Sequence, residues 1–118
     1  MTTYSDTVTD EEVVVLTAQA IATLAAKPLG EDADVRHRVL WTRGTSSAGV
    51  LQIPAGHRLG LHTHRVNHHH FWLLDGHAVV LGRALGPGSY VHVPSGVEHD
   101  VDATGTDGCT VFYLYAAD

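Results

Sequence analysis

From residue 35 onward, the chain is divided into short apolar runs by Gly, Pro, Asn and Asp at intervals of about ten residues. This spacing is typical of an all-β sandwich or barrel, because each run can form a strand and each break can form a turn. We interpret Asp75-Gly76 as a two-residue hairpin turn between the fourth and fifth strands. The predicted strands cover residues 36–42, 49–54, 60–64, 69–74, 77–81, 90–93, 98–103 and 109–115.

The segment before these strands is predicted to contain one short helix. Thr17 is a suitable N-cap for an Ala-rich helix over 18–26, and Pro28 would stop it. A single helix over 10–26, with its own capping box, is the alternative. Because residues 12–16 are rich in β-branched side chains, we expect them to form an extended edge segment, and this favours the shorter helix.

Length and composition indicate one domain, with an N-terminal arm over 1–35 and a barrel over 36–118. The net charge of −6 argues against a nucleic-acid groove or an anionic membrane surface, since both require clustered Lys and Arg. No apolar run is long enough to span a membrane, so we expect a cytoplasmic protein with a small-molecule partner. The single Cys109 fits a reducing compartment and is interpreted as a small buried hydrophobe, with a reactive thiol as the alternative.

Histidines are concentrated between residues 62 and 70. His62 and His64 occupy alternate positions, so a strand would direct both imidazoles to one face. A turn and the next strand would bring His69 to the same point, and the distant His99 would complete the set. Neutral imidazole is the commonest metal ligand among side chains, so this pattern predicts a metal site.

The glycines and histidines together resemble the two sequence motifs of the cupin superfamily, whose members are small double-stranded β-helix, or jelly-roll, barrels that bind a metal inside. The resemblance implies this fold, and metal ligation by His62, His64, His69 and His99. The glutamate expected at position 69 is replaced by His69, and the asparagine expected at position 103 is replaced by Ala103. The first string reads Gly56, five residues, His62-Thr63-His64, four residues, His69, six residues, Gly76, and the second reads Gly88, five residues, Pro94, one residue, Gly96, two residues, His99.

The register of the fourth strand decides which histidines face inward. Alternation sends His69 to one face and His68 and His70 to the other, and a slip of one residue would reverse this. Counting back from Gly76 favours His69 as the inward residue. His68 and His70 are then expected on an outer face or in a subunit contact.

The resulting site would hold one divalent transition metal. Nitrogen ligands disfavour magnesium and calcium and suit Fe, Zn, Ni, Cu or Co. Four neutral imidazoles leave the ion with a charge of about +2, compared with about +1 when one ligand is a carboxylate. We therefore expect a stronger Lewis acid, with a preference for anionic oxygen ligands.

Apolar residues at alternating strand positions are predicted to form the barrel core, and a few of them to line a pocket beside the metal. No acid–base residue is identified with certainty. Tyr90, Tyr113 and Tyr115 are candidate proton donors, and Gln52 is a candidate hydrogen-bonding partner. The candidate pocket residues are Leu51, Ile53, Phe71, Leu73, Val93, Phe112 and Trp41.

These features lead to a metal-dependent enzyme acting on a small, largely apolar, oxygen-bearing substrate. The resemblance to cupins with all-histidine sites implies two chemistries: dioxygenase chemistry at non-haem iron is the leading hypothesis, and redox-free cyclisation or isomerisation at a zinc-type ion is the first alternative. A non-catalytic metal or small-ligand sensor and a purely structural metal site are the others. The resemblance also implies a homodimer that exchanges N-terminal strands, with residues 12–16 as the candidate segment.

Overall fold

The computed structural model describes residues 13–62 and 67–117. No helix in these ranges is long and apolar enough to cross a membrane. The described part of the chain contains helix α1 (Ala18–Thr23) and strands β1 (Lys27–Pro28), β2 (Arg36–Arg43), β3 (Ser46–Ile53), β4 (Asn67–Gly76), β5 (Ala78–Val80), β6 (Arg83–Leu85), β7 (Tyr90–Val93) and β8 (Cys109–Ala117).

Two antiparallel sheets confirm the all-β prediction. The larger has the order β1-β2-β3-β8-β4-β7, and the smaller is the β5–β6 hairpin. The last strand, β8, is therefore inserted between β3 and β4 of the larger sheet. This non-sequential order is what a jelly-roll arrangement requires.

The smaller layer is extended by segments that pair through isolated bridges. Arg58 bridges Asp102, His62 bridges His99, and Val79 of β5 also bridges Asp102. The predicted strands over 60–64 and 98–103 thus form bridges instead of regular strands where the structure describes them. Their hydrogen bonds are nevertheless reciprocal, since the backbone amides of His62 and His99 each donate to the other's carbonyl, at 2.9 and 2.8 Å.

The core lies between the two layers and follows the alternation of β3, β4 and β8. On β8, however, the inward residues are Val111 and Tyr113, and Phe112 is on the other face. Apolar side chains occupy consecutive positions along β8, so alternation cannot be read there from the sequence. The core consists of Val35, Leu51, Ile53, Leu59, Phe71, Leu73, Ala78, Val80, Val93, Val101, Ala103, Cys109, Val111 and Tyr113.

The prediction of a hairpin turn at Asp75-Gly76 is wrong. Strand β4 continues through both residues and pairs with β8, where Asp75 is opposite Thr110 and Gly76 is opposite Cys109. Gly76 has φ of +77°, and a Cβ atom at this position would overlap the carbonyl oxygen of Gly108. Glycine is required here because the backbone passes close to another strand as it leaves for the smaller sheet.

The N-terminal segment has the predicted helix in shortened form. Thr17 caps α1, because its side chain accepts a hydrogen bond from the amide of Ala20, but the helix ends at Thr23 instead of residue 26. The Leu24 carbonyl then accepts a hydrogen bond from the Arg38 side chain, and this contact draws the chain toward β2. Residues 13–17 are neither helix nor strand, so neither the single longer helix nor the edge segment is found there; residue 12 lies outside the described ranges. Strands β1 and β6 were not predicted.

Candidate metal centre

Three of the four candidate ligands meet inside the barrel. His62 lies on a bridged segment of the smaller layer, His69 on β4 of the larger sheet, and His99 on the segment that bridges His62. One ring nitrogen from each of them lies within 4.8 Å of the others. His64 lies outside the described residues, so its predicted ligation stays a prediction.

Backbone carbonyls fix the tautomers of two of these rings. His62 Nδ1 donates to the Gly60 carbonyl at 2.8 Å, and His99 Nδ1 donates to the Val97 carbonyl at 3.0 Å. Both rings therefore carry their lone pair on Nε2, the arrangement in which a second hydrogen bond orients a metal-ligating histidine. His69 Nδ1 lies 2.8 Å from His99 Nε2. These residues fit a divalent transition metal, because three imidazole nitrogens converge and two are pre-oriented.

Burial favours the neutral, ligating form of His99. His69 is 2 % exposed and His99 is 1 % exposed. Desolvation lowers the pKa of His99, and the nearby His62 lowers it further against an opposing effect of the Val97 hydrogen bond. His69 faces inward because β4 alternates regularly at this point, with Asn67 and Phe71 buried on the same side.

Asp100 ties the two segments that carry His62 and His99. Its buried carboxylate accepts a hydrogen bond from the Gly60 amide at 2.8 Å and another from Arg58 Nε at 2.6 Å. Asp100 follows His99 directly, and Gly60 lies two residues before His62. The ion pair therefore constrains the distance between the two ligand-bearing segments.

Two tyrosine rings pack in succession beside His69. The Tyr115 ring lies 4.6 Å from that of His69, and the Tyr113 ring lies 4.9 Å from that of Tyr115. Tyr113 Oη forms a 2.7 Å hydrogen bond with His37 Nδ1. Burial raises the pKa of Tyr113 to about 12, and it raises that of Tyr115 as well. Both phenols are therefore protonated near neutral pH and able to donate a hydrogen bond.

A cavity of about 320 Å³ opens beside the histidines. His62, Tyr115 and the acidic residue Glu31 are among its lining residues. Of these, only His62 and Tyr115 were candidates from the sequence, because Glu31 lies in a loop segment without a motif. The remaining lining residues are Leu29, Gly30, Leu59, Gly60 and Leu61.

The other residues singled out in the sequence lie away from this cavity. Tyr90 is 48 % exposed on the edge strand β7, and Gln52 accepts a hydrogen bond from Arg38 on the outside of the barrel. Phe112 packs against Trp72 on the face opposite His69. Trp41 is half-buried on β2, beside a register shift. The other five predicted pocket residues belong to the core: Leu51, Ile53, Phe71, Leu73 and Val93.

A second group of histidines occupies the outer face of the same sheet. His68 and His70 alternate with His69 on β4, and His92 lies on β7 directly opposite His70. His68 Nδ1 is 3.1 Å from His92 Nε2, and His70 Nδ1 is 2.7 Å from the hydroxyl of Tyr90. His92 therefore belongs to this outer group.

Comparison with known proteins identifies the fold. No protein-family model and no curated protein sequence matches the chain. An RmlC-like cupin from Shewanella frigidimarina superimposes with a TM-score of 0.71 at 17% identity, covering 82% of this chain and 86% of that one. The polyketide cyclase RemF from Streptomyces resistomycificus gives 0.67 at 16% identity, with 80% and 74% covered.

A further match is to the crystal structure of Rhodobacter sphaeroides SigE in complex with the anti-sigma ChrR, with a TM-score of 0.66 and 25% identity over 80% of this chain. The present chain spans only 50% of the chain that it matches there. These similarities show that the chain has the double-stranded β-helix fold of the cupin structures on which it superimposes, and this fold holds a histidine cluster suited to a metal ion.

Proposed function

We propose that this protein is a metal-dependent enzyme that acts on a small, largely apolar organic molecule with an oxygen atom able to reach the metal. The observation that carries the proposal is the position of the histidine cluster. His62 belongs both to the cluster and to the lining of the 320 Å³ cavity, so a molecule in the cavity lies beside a residue of the cluster. A purely structural site would be expected to be closed.

His64 is proposed as the fourth ligand, after the cupin motif. When bound, a divalent metal would polarise a substrate oxygen and stabilise negative charge that develops on it. With imidazole ligands alone, that charge is not reduced by a carboxylate, which favours enolates, phenolates and carboxylates as ligands. Leucines 29, 59 and 61 give the cavity apolar walls for the remainder of such a molecule.

The chain supplies two groups that can act on the bound molecule. Tyr115 remains protonated because it is buried, and it can donate a hydrogen bond to a substrate oxygen beside His69. Glu31 lines the same cavity, and its carboxylate is the proposed base that accepts a proton from an acidic carbon or hydroxyl. This pair suits reactions that pass through an enolate, whether oxygen then cleaves the molecule or a ring closes. We retain oxygenation at non-haem iron as the first candidate and redox-free cyclisation as its alternative.

Cobalt substitution tests whether the metal is open to a ligand. The Co²⁺ protein should bind acetylacetone, a small β-diketone, with a change in its visible absorption, because the enolate oxygens enter the coordination sphere. The His69→Gln variant should lose the metal or the spectral change. The matched His77→Gln variant should keep the metal and the spectral change, because His77 is exposed and hydrogen-bonds to Asp107. A cobalt spectrum that does not respond to acetylacetone in the folded protein would indicate a closed, structural site.

The metal present in protein purified without an affinity tag then separates the two chemistries. Iron, together with oxygen consumption on a β-diketone or a related substrate, supports the oxygenase. Zinc, with turnover that is unchanged under anaerobic conditions, excludes it and supports cyclisation or isomerisation.

A metal or small-ligand sensor is the second candidate, and the similarity to the SigE–ChrR complex favours it. This candidate predicts that metal changes the affinity for a protein partner while no substrate is converted. Pull-down from cell extract with metal-loaded and metal-free protein, followed by binding measurements on the purified partner, distinguishes it from the enzyme.

A further inference from the structure

We propose that His68 and His92 form a second binding site for a divalent transition metal, on the outer face of the large sheet. The site lies on the opposite side of β4 from the inner cluster. It needs neither the cavity nor the proposed enzymatic activity, so it is independent of the proposed function.

The distance between the two ring nitrogens is the first argument. Metal–nitrogen bonds of about 2.0–2.1 Å place neighbouring imidazole nitrogens of one coordination sphere roughly 2.9–3.4 Å apart. His68 Nδ1 and His92 Nε2 are 3.1 Å apart, within that range. One of the two nitrogens carries a proton in this contact. A metal ion bound by both nitrogens would lie to one side of the line between them, so the two rings would rotate about their side-chain bonds to direct both lone pairs at the ion.

The inner cluster provides an internal comparison. There, His69 Nδ1 lies 2.8 Å from His99 Nε2, which is the same pairing of Nδ1 on β4 with Nε2 on a neighbouring segment. The two pairs start from consecutive residues of one strand, and alternation directs them to opposite faces. The outer pair differs in being open to solvent, since His92 is exposed and His68 is half-buried.

Neighbouring side chains hold the outer pair in place. The His70 ring stacks on that of His92, with centroids 4.6 Å apart and an angle of 14° between the planes. His70 Nδ1 itself forms a 2.7 Å hydrogen bond with the hydroxyl of Tyr90. His70 and His92 are opposite each other in the β4–β7 pair. The proposed ligands, His68 and His92, therefore belong to hydrogen-bonded strands and not to loops. Such support reduces the conformational entropy lost when a metal binds.

The chemistry of the pair selects the metal. Two imidazoles without a carboxylate ligand suit Cu²⁺, Ni²⁺ or Zn²⁺ and disfavour Mg²⁺ and Ca²⁺. Water or a ligand from solution would complete the coordination sphere. We therefore expect the outer site to bind more weakly than the inner one and to exchange its metal more readily.

Calorimetric titration of tag-free, chelator-treated protein with ZnCl₂ tests the proposal. The wild type should show two binding events, of which the weaker is lost in His92→Gln and in His68→Gln. The His69→Gln variant should lose the stronger event and keep the weaker one. The exposed His77→Gln variant, the matched control, should keep both. Since His92 is exposed, thermal unfolding of metal-free His92→Gln should match that of the wild type.

Copper provides a second readout that needs no enzymatic activity. Electron paramagnetic resonance of the Cu²⁺-loaded His69→Gln variant should show coupling to nitrogen, and this coupling should disappear when His92→Gln is added. A single binding event in the wild type, or a weaker event that survives both His68→Gln and His92→Gln, would overturn the proposal. A weaker event that appears only together with dimer formation in light scattering would also overturn it, because the ion would then bridge two copies.

Discussion

Replacing Gly49 with alanine should destabilise the protein far more than a glycine-to-alanine change in a strand normally does. Gly49 lies on β3 directly opposite Tyr113 of β8, whose buried side chain crosses over it to reach His37. An added Cβ would overlap Oη and Cζ of Tyr113 and lie 2.6 Å from its Cε2 atom. Carbon atoms normally approach to about 3.5–4.0 Å, so the ring would have to withdraw by about 1 Å.

The ring has little room for this movement. Tyr113 is 1 % exposed and its ring packs against that of Tyr115, which in turn packs against the ring of His69. Overpacking of a core costs about 1–3 kcal/mol, and loss of the His37 hydrogen bond adds about 0.5–1.5 kcal/mol. We therefore expect Gly49→Ala to lower the free energy of unfolding by about 2–4 kcal/mol. The variant should also bind metal more weakly, because displacement of the Tyr113 ring would displace the Tyr115 ring, which packs against His69.

Urea denaturation of metal-free protein, followed by far-UV circular dichroism, measures the effect. Gly105→Ala is the matched control, since a Cβ there meets no atom within 4 Å, and it should change stability by less than about 0.5 kcal/mol. In a Tyr113→Leu background the added methyl group should be tolerated, and the double-mutant cycle should show coupling of at least about 1 kcal/mol. Equal destabilisation by Gly49→Ala in both backgrounds would refute the argument.

Three further predictions follow from other contacts. The hydrogen bond to the Asp32 carboxylate raises the pKa of His57 above its usual 6.5. The pair therefore stabilises the folded state fully below pH 6.5, and this contribution is lost as the pH rises through the raised pKa. The difference in the free energy of unfolding between wild type and His57→Gln should accordingly shrink toward alkaline pH. Gly76→Ala should be severely destabilising in thermal unfolding, because its φ of +77° and the Gly108 carbonyl both exclude a side chain. Asp100→Asn should weaken Zn²⁺ binding, measured by calorimetry, because the carboxylate holds the two ligand-bearing segments together.

The sequence predicts the fold and the inward histidines well for a physical reason. Glycines and prolines mark the turns, and β4 alternates without interruption from Asn67 to Leu73, so that His69 can be assigned to the core. The prediction is wrong where alternation is lost or where the chain changes sheet. Phe112 lies between two other apolar residues, and the Asp75-Gly76 pair has hairpin composition but completes a long strand that passes to the other layer.

The cavity could not have been predicted in the same way. Its lining comes from the loop that contains Glu31, from the segment before His62 and from the end of β8, which are far apart in the sequence and share no periodicity. Only the fold brings them together. Tyr115 was one of several tyrosine candidates, and nothing in the sequence distinguishes it from Tyr90, which lies on the outer face.

The histidine at position 69 links the proposed chemistry to the charge of the site. A carboxylate there would neutralise part of the charge of a bound divalent ion, whereas His69 leaves that charge at about +2. Asp100 is the carboxylate next to His99 in the sequence, but it is already engaged by Arg58 and by the Gly60 amide. In the proposed enzyme, the compensating negative charge comes from a molecule in the cavity, with Glu31 as the group that removes its proton and Tyr115 as the hydrogen-bond donor to its oxygen. A weak organic acid that becomes anionic at the metal, such as a β-diketone or a phenol, meets this requirement better than a neutral ether or ester.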